Sequence, residues 1–186
     1  MKWILLLFLF NWYPQNNITE YYRFSAQSNL REWRIVNDGV MGGISNSSLL
    51  KTGEGHGQFS GHVSLENNGG FASIQLNLSS TIPDDCKYIA LRVKGDGKQY
   101  EFRLKQNLYQ SVAYVHPFKT SGEWETIQLA IKDFYPQFLG RKLNSPNFNY
   151  KNIEQISFLI SNKQEEDFKL LIDWIGYSHS VSIKTN

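Results

Sequence analysis

The chain has 186 residues, 41% hydrophobic and 15% aromatic, and its 19 basic and 17 acidic side chains leave a net charge of +2. That length suits one domain, the aromatic content excludes a disordered chain, and the scattered, nearly balanced charge excludes a nucleic-acid or polyanion binder. Cys86 is the one cysteine, which rules out an intrachain disulfide and any multi-cysteine zinc site.

The chain opens with Met1-Lys2 and an apolar run from Trp3 to Phe10, a positive start and hydrophobic stretch of signal-peptide character. The run falls far short of the ~20 residues that span a bilayer as a helix, so no transmembrane span is expected. No small-x-small cleavage site follows it. Residues 1–17 are assigned as a candidate signal or targeting segment, which tips localisation toward export or membrane association over the cytoplasm. Residues 18–186 are assigned as a single domain.

Asn29 to Trp33 has room for one short turn of helix. The next segment is rich in glycine: Trp33-Arg34-Ile35-Val36-Asn37-Asp38-Gly39-Val40-Met41-Gly42-Gly43-Ile44-Ser45. Gly42-Gly43 permits φ > 0 or close backbone approach, so this loop folds tightly. Asp38 can bond backbone N–H groups inside the loop, as a bent strand connection locked by Trp33 would require. Alternatively the loop is a rigid surface that presents backbone groups and Asp38 to a partner. On either reading the nearly isosteric change Asp38→Asn is expected to cost about 1 kcal/mol or less. The candidate binding loop comprises Asp38, Gly39, Met41, Gly42, Gly43 and Ser45, joined by Asn68, Gly69 and Gly70. These last three belong to Glu66-Asn67-Asn68-Gly69-Gly70-Phe71, a turn that starts a core strand.

Beyond this point the hydrophobic period is two. Ile74, Leu76 and Leu78 alternate, as do Ile89, Leu91 and Val93, then Tyr100, Phe102 and Leu104. Ile156, Phe158 and Ile160 follow the same pattern, and so do Phe168, Leu170, Ile172 and Trp174. Such alternation marks strands with one face on a core. Asp96-Gly97, between two alternating runs, predicts a type I′ hairpin. Lys132 to Leu139 has room for a second helical turn. About ten short strands with few helices indicate an all-β sandwich or barrel.

Catalytic patterns are missing. No phosphate-cradling P-loop or dinucleotide-binding glycine pattern is present. Gly43-Ile44-Ser45-Asn46-Ser47 lacks the second glycine of a nucleophile elbow. His56, His62, His116 and His179 show no metal-ligand spacing, and His56 and His62 read as solvated or locally bonded neighbours on a strand face. Asp84-Asp85 and Glu165-Glu166-Asp167 read as solvated turns. Cys86 follows such a turn and has no nearby His or other base in sequence, so it reads as passive and half-buried. The expectation is therefore no enzyme, no cofactor and no metal. Tyr109, Tyr114, His116 and Trp124 are the aromatic and polar groups that could serve a sugar.

The glycine-rich segments also carry a resemblance. Trp33 with Val36-Asn37-Asp38-Gly39-Val40-Met41-Gly42-Gly43-Ile44-Ser45, followed by Phe59 to Ser73 with its Glu66-Asn67-Asn68-Gly69-Gly70-Phe71, resembles the complex I intermediate-associated protein family. Later blocks follow in order: Leu91 to Gly97 before Tyr100, Gly122-Glu123-Trp124 before Asp133-Phe134, Gly140-Arg141, and Phe168 to Ile175. Gln164-Glu165-Glu166-Asp167 stands where the family usually has Gly, and Ala130-Ile131 where it often has a Pro-containing pair. The resemblance implies a jelly-roll β-sandwich of the galactose-binding-like type. It also implies a non-catalytic binding and assembly factor whose partner is a protein client, a respiratory-complex subunit among the candidates. The alternative is a carbohydrate-binding module.

Overall fold

The computed structural model describes residues 18–179, and the proposed targeting segment 1–17 lies outside them. The period-two runs form strands as expected. In chain order they are β1 (Ile18–Arg23), β2 (Trp33–Ile35), β3 (Asn46–Lys51), β4 (Gly57–Val63), β5 (Ala72–Thr81), β6 (Tyr88–Lys94) and β7 (Gln99–Lys105). There follow β8 (Ala113–Lys119), β9 (Glu125–Ala130), β10 (Tyr135–Phe138), β11 (Arg141–Lys142), β12 (Asn152–Ile160) and β13 (Glu166–Ser178). Helical structure among the described residues is confined to four short 3-10 turns. One is Leu30–Glu32, capped by the Asn29 side chain, at the first turn predicted. The second prediction is half right: Ile131–Asp133 is a 3-10 turn, but Tyr135–Phe138 is a strand.

Two antiparallel sheets form. One has the order β3-β4-β13-β6-β9, with β1 also paired to β13. The other runs β11-β10-β8-β7-β12-β5-β2. The Asp96-Gly97 hairpin is overturned, because β6 lies in the first sheet and β7 in the second. This connection crosses the sandwich. Asp96 staples it, accepting hydrogen bonds from Tyr100 Oη at 2.9 Å, Lys98 Nζ at 2.9 Å and the Lys169 N–H at 2.9 Å. Thr120 packs so close that a Cβ on Gly95 would lie 2.4 Å from its hydroxyl. An Asp-Gly pair thus supplies a tight reversal between layers as readily as within one.

The inward faces meet in an aromatic core. Phe59 packs edge-on to Phe168 at 4.8 Å in the first sheet, Phe102 on Phe158 at 5.0 Å in the second, and Tyr100 reaches across to Phe168 at 6.5 Å. Trp33 closes one end, stacked on Phe24 at 5.5 Å, while its indole N–H donates to Tyr22 Oη at 2.8 Å. That bond gives the buried ring's one polar atom a partner, so Trp33 is buried without an unpaired donor. The anchor holds the start of the glycine-rich loop against the core.

Candidate functional site

From Trp33 the chain pairs along β5, and the pairing runs on through the Val36 N–H to Ser73 O at 2.9 Å and the Asp38 N–H to Phe71 O at 3.3 Å before the chain turns away. Asp38–Met41 makes one 3-10 turn, ended by Gly42 at φ +92°, a conformation that disfavours any side chain. The Asp38 side chain is fully buried beneath this turn. Its Oδ1 accepts the Ser45 N–H at 3.0 Å. Oδ2 accepts the Ser45 hydroxyl, the Gly70 N–H at 2.6 Å and the Phe71 N–H at 3.2 Å. Ser45 Oγ in turn accepts the Ser64 N–H at 2.9 Å. One carboxylate therefore ties three segments of chain together.

The glycines of both sequence motifs make room for it. A Cβ on Gly43 would lie 2.4 Å from Asp38 Cγ, and one on Gly69 2.6 Å from Oδ2. Asn67 and Asn68 take left-handed backbone conformations so that Gly70 and Phe71 can aim their N–H groups at the carboxylate. Burial pushes the Asp38 carboxyl up, but hydrogen bonds from Ser45, Gly70 and Phe71 outweigh it and hold the group below its ordinary value.

The predicted loop residues do come together, in two layers. Asp38 and Ser45 are buried, with Gly43, Gly69 and Gly70 half-buried around them. Gly39, Met41 and Asn68 are exposed. Asp38 is thus a latch and is not itself offered to a partner. The latch presents its neighbours, Val40 at 74% exposure and Met41 at 56%.

Those two side chains form one rim of a groove of about 450 Å³ on the outer face of the second sheet. The opposite rim is Phe138, Leu139 and Gly140, at the turn between β10 and β11. Gln75, Ser157 and Arg103 sit in register across β5, β12 and β7 and make a polar row along the floor. Arg103 is held by Glu101 at 2.5 Å and by Gln137 at 2.8 Å, and Arg34 donates to Gln75 at 3.0 Å. Sequence reasoning missed this floor. Its signal was the polar outward half of the alternation: Gln75, Arg103, Lys105, Gln155 and Ser157.

The four groups weighed for a sugar do not share a surface. Tyr114 is buried against Phe148 at 5.2 Å, and His116 packs on Phe134 at 5.2 Å. Trp124 lies beside His56 at 4.6 Å, and Tyr109 stands exposed in the turn between β7 and β8. The isolation expected for Cys86 is also overturned, since His179 Nδ1 lies 3.7 Å from its sulfur. His56 and His62 have acidic neighbours: Glu54 and Asp173 for the first, Glu165 and Asp167 for the second. Among the described residues no helix is long and apolar enough to cross a membrane.

Solved structures of low sequence identity share this architecture. A family 11 carbohydrate-binding module of a cellulosomal cellulase from Clostridium thermocellum superposes with a TM-score of 0.63 at 15% identity, covering 90% of this chain and 97% of that one. The family 11 module from the same organism in complex with a β-1,3-1,4-mixed-linked tetrasaccharide gives 0.61 at 14% identity, with the same coverage. The sandwich is thus a jelly roll of the galactose-binding-like type. In sequence, the mitochondrial protein of Caenorhabditis elegans named "Probable complex I intermediate-associated protein 30" is 26% identical over 178 residues. The match covers 83% of this chain and 52% of that protein, so the chain spans about half the length of its relative. The family model described as Complex I intermediate-associated protein 30 (CIA30) matches residues 22–172, from β1 well into β13 and across both halves of the Asp38 latch. The chain belongs to the complex I intermediate-associated protein 30 family.

Proposed function

We propose that this chain is a non-catalytic assembly factor for respiratory NADH dehydrogenase that holds a protein client in the groove between the Asp38 loop and the β10–β11 turn. The observation that carries the reading is the family match, which includes every residue of the latch and both rims. The groove's chemistry defines the client further. Its lining includes Lys105 and Arg103, the latter already paired with Glu101, and its rims are apolar at Val40, Met41, Phe138 and Leu139. Burial and the nearby Arg34 charge push the Lys105 ammonium down, so an incoming anion would be welcome there. A client segment that carries carboxylates flanked by apolar side chains fits both features. In the native cell, loss of this protein is expected to leave partly assembled NADH dehydrogenase on native gels and to lower its membrane activity. A fully assembled complex at its normal level would sink the proposal.

A second reading is sugar binding in the same groove, favoured by the polar row of Gln75, Ser157 and Arg103. It is weakened by the scattering of Tyr109, Tyr114, His116 and Trp124, since sugar faces are usually gripped by exposed aromatic planes. Calorimetry with mixed-linked β-glucan oligosaccharides, backed by a glycan array, is expected to show no heat and no bound spot. Millimolar or tighter binding that Arg103→Ala removes would reverse that order of preference.

A further inference from the structure

Pro83 to Lys87 connects β5 to β6, and two backbone bonds shape it. The Cys86 N–H donates to Pro83 O at 3.0 Å, and the Lys87 N–H donates to Ser178 O at 3.1 Å. The second bond pins the connection against the end of β13, where the next residue is His179. Three unlike side chains converge as a result. His179 Nδ1 lies 3.0 Å from Asp85 Oδ2 and 3.7 Å from Cys86 Sγ, and its Nε2 lies 3.9 Å from the sulfur. One donor atom from each residue falls within 4.8 Å of the other two. Asp85 is exposed while Cys86 and His179 are half-buried, so the cluster opens to solvent on its carboxylate side.

Two chemistries compete for such a trio. A nucleophilic thiol needs a base that faces the sulfur with one ring nitrogen while a carboxylate orients the other. Here Nδ1 is the nitrogen nearest both partners, so the imidazole does not stand between them. Burial and the Asp85 charge also push the Cys86 thiol up, the reverse of activation. Cation binding suits the geometry better. Tetrahedral zinc, with Zn–S of about 2.3 Å and Zn–N of about 2.0–2.1 Å, sets sulfur and nitrogen about 3.6 Å apart. The observed Nδ1–Sγ separation of 3.7 Å is close to that, and because Nε2 also stands only 3.9 Å from the sulfur, the imidazole must turn to aim one nitrogen lone pair at the ion. Thiolate with imidazole selects zinc over the hard cations, and a carboxylate is compatible with it.

We propose that Asp85, Cys86 and His179 form a zinc site with a fourth position open to water or to a side chain of a partner. Binding replaces the thiol proton, which leaves to solvent, and the ion's charge offsets the negative surroundings that otherwise disfavour the thiolate. The ion bridges residues 93 apart in sequence, joining the β5–β6 connection to the end of β13. The site stands at the far end of the ten-residue β5 from the Asp38 latch, on the order of 30 Å away at 3.3 Å per residue. It therefore lies outside the groove and shares none of its lining residues.

Cobalt spectroscopy tests the proposal cleanly, because Cys86 is the chain's one cysteine. The untagged full chain is stripped with chelator, kept in a non-thiol reductant, titrated with Co²⁺ and then with Zn²⁺. The expected result is one equivalent per chain, a thiolate-to-cobalt charge-transfer band, visible bands of tetrahedral intensity, and reversal of both by zinc. Cys86→Ser should abolish the charge-transfer band while the far-ultraviolet circular dichroism stays that of the wild type. His179→Ala and Asp85→Ala should each weaken zinc binding about 10-fold or more. A folded wild-type chain that shows no charge-transfer band would overturn the site, and so would a cobalt affinity indifferent to His179→Ala.

Discussion

Asp38→Asn is expected to destabilise the domain by about 2–4 kcal/mol at neutral pH, read from the shift in urea midpoint. The carboxylate receives four donors, one at Oδ1 and three at Oδ2. An asparagine keeps one acceptor oxygen and replaces the other with an NH₂ group. In its cheaper orientation the amide oxygen stays with Gly70, Phe71 and the Ser45 hydroxyl, and NH₂ is turned against the Ser45 N–H. One buried donor is then orphaned, at about 1–3 kcal/mol, and three charge-assisted bonds become neutral ones. The cost of about 1 kcal/mol or less expected from sequence is therefore too small, because it assumed a single bond.

The effect has a pH signature. Asp38 titrates below its ordinary value in the folded chain, so its contribution is complete above the unfolded value of about 3.9 and is lost as pH falls through the folded one. The gap between wild type and Asp38→Asn should be widest near neutrality and close in acid. Gly69→Ala reaches the same endpoint from the other side, since its Cβ would meet Asp38 Oδ2 at 2.6 Å and two carbonyl oxygens at 2.9 Å. A change in Asp38→Asn below about 0.5 kcal/mol, the range of ordinary surface substitutions, would show that the carboxylate does not hold the loop.

The faces of this fold were legible in the sequence, and its neighbour relations were not. Alternation at Tyr100-Phe102-Leu104 or Ile156-Phe158-Ile160 says which side chains turn inward, because successive residues of a strand point to opposite faces. It says nothing about which strand lies alongside. Asp96-Gly97 therefore looked like a hairpin although its flanking strands lie in different sheets. The Asp38 latch was half legible. Closely spaced glycines after an Asp or an Asn imply tight backbone, and Asp38 was recognisable as a group able to bond N–H donors. That its donors include Gly70 and Phe71, more than thirty residues on, depends on β2 pairing with β5. Cys86 and His179 were less legible still, since each looked isolated along the chain and they meet only where two strand ends converge.

The double variant Met41→Asp, Leu139→Asp is expected to reduce client recovery at least about 10-fold while leaving the melting temperature within a degree or two. Met41 is 56% exposed and Leu139 75% exposed, so neither supports the core. Leu139 also sits at φ +45°, a left-handed conformation that Asp tolerates better than Leu, so the fold has no reason to resist the change. The two substitutions remove apolar contacts from opposite rims and set carboxylates facing a client proposed to be acidic itself. Recovery is measured as respiratory NADH dehydrogenase subunits co-purified with the tagged chain, by quantitative mass spectrometry against wild type. Comparison with Asp38→Asn then separates surface from support. Releasing the latch should lower stability and recovery together, because Val40 and Met41 lose the rigid turn that presents them. The rim variant should lower recovery alone. Full recovery with both rims charged would mean that the client docks elsewhere, and the latch would then serve the fold and not the groove.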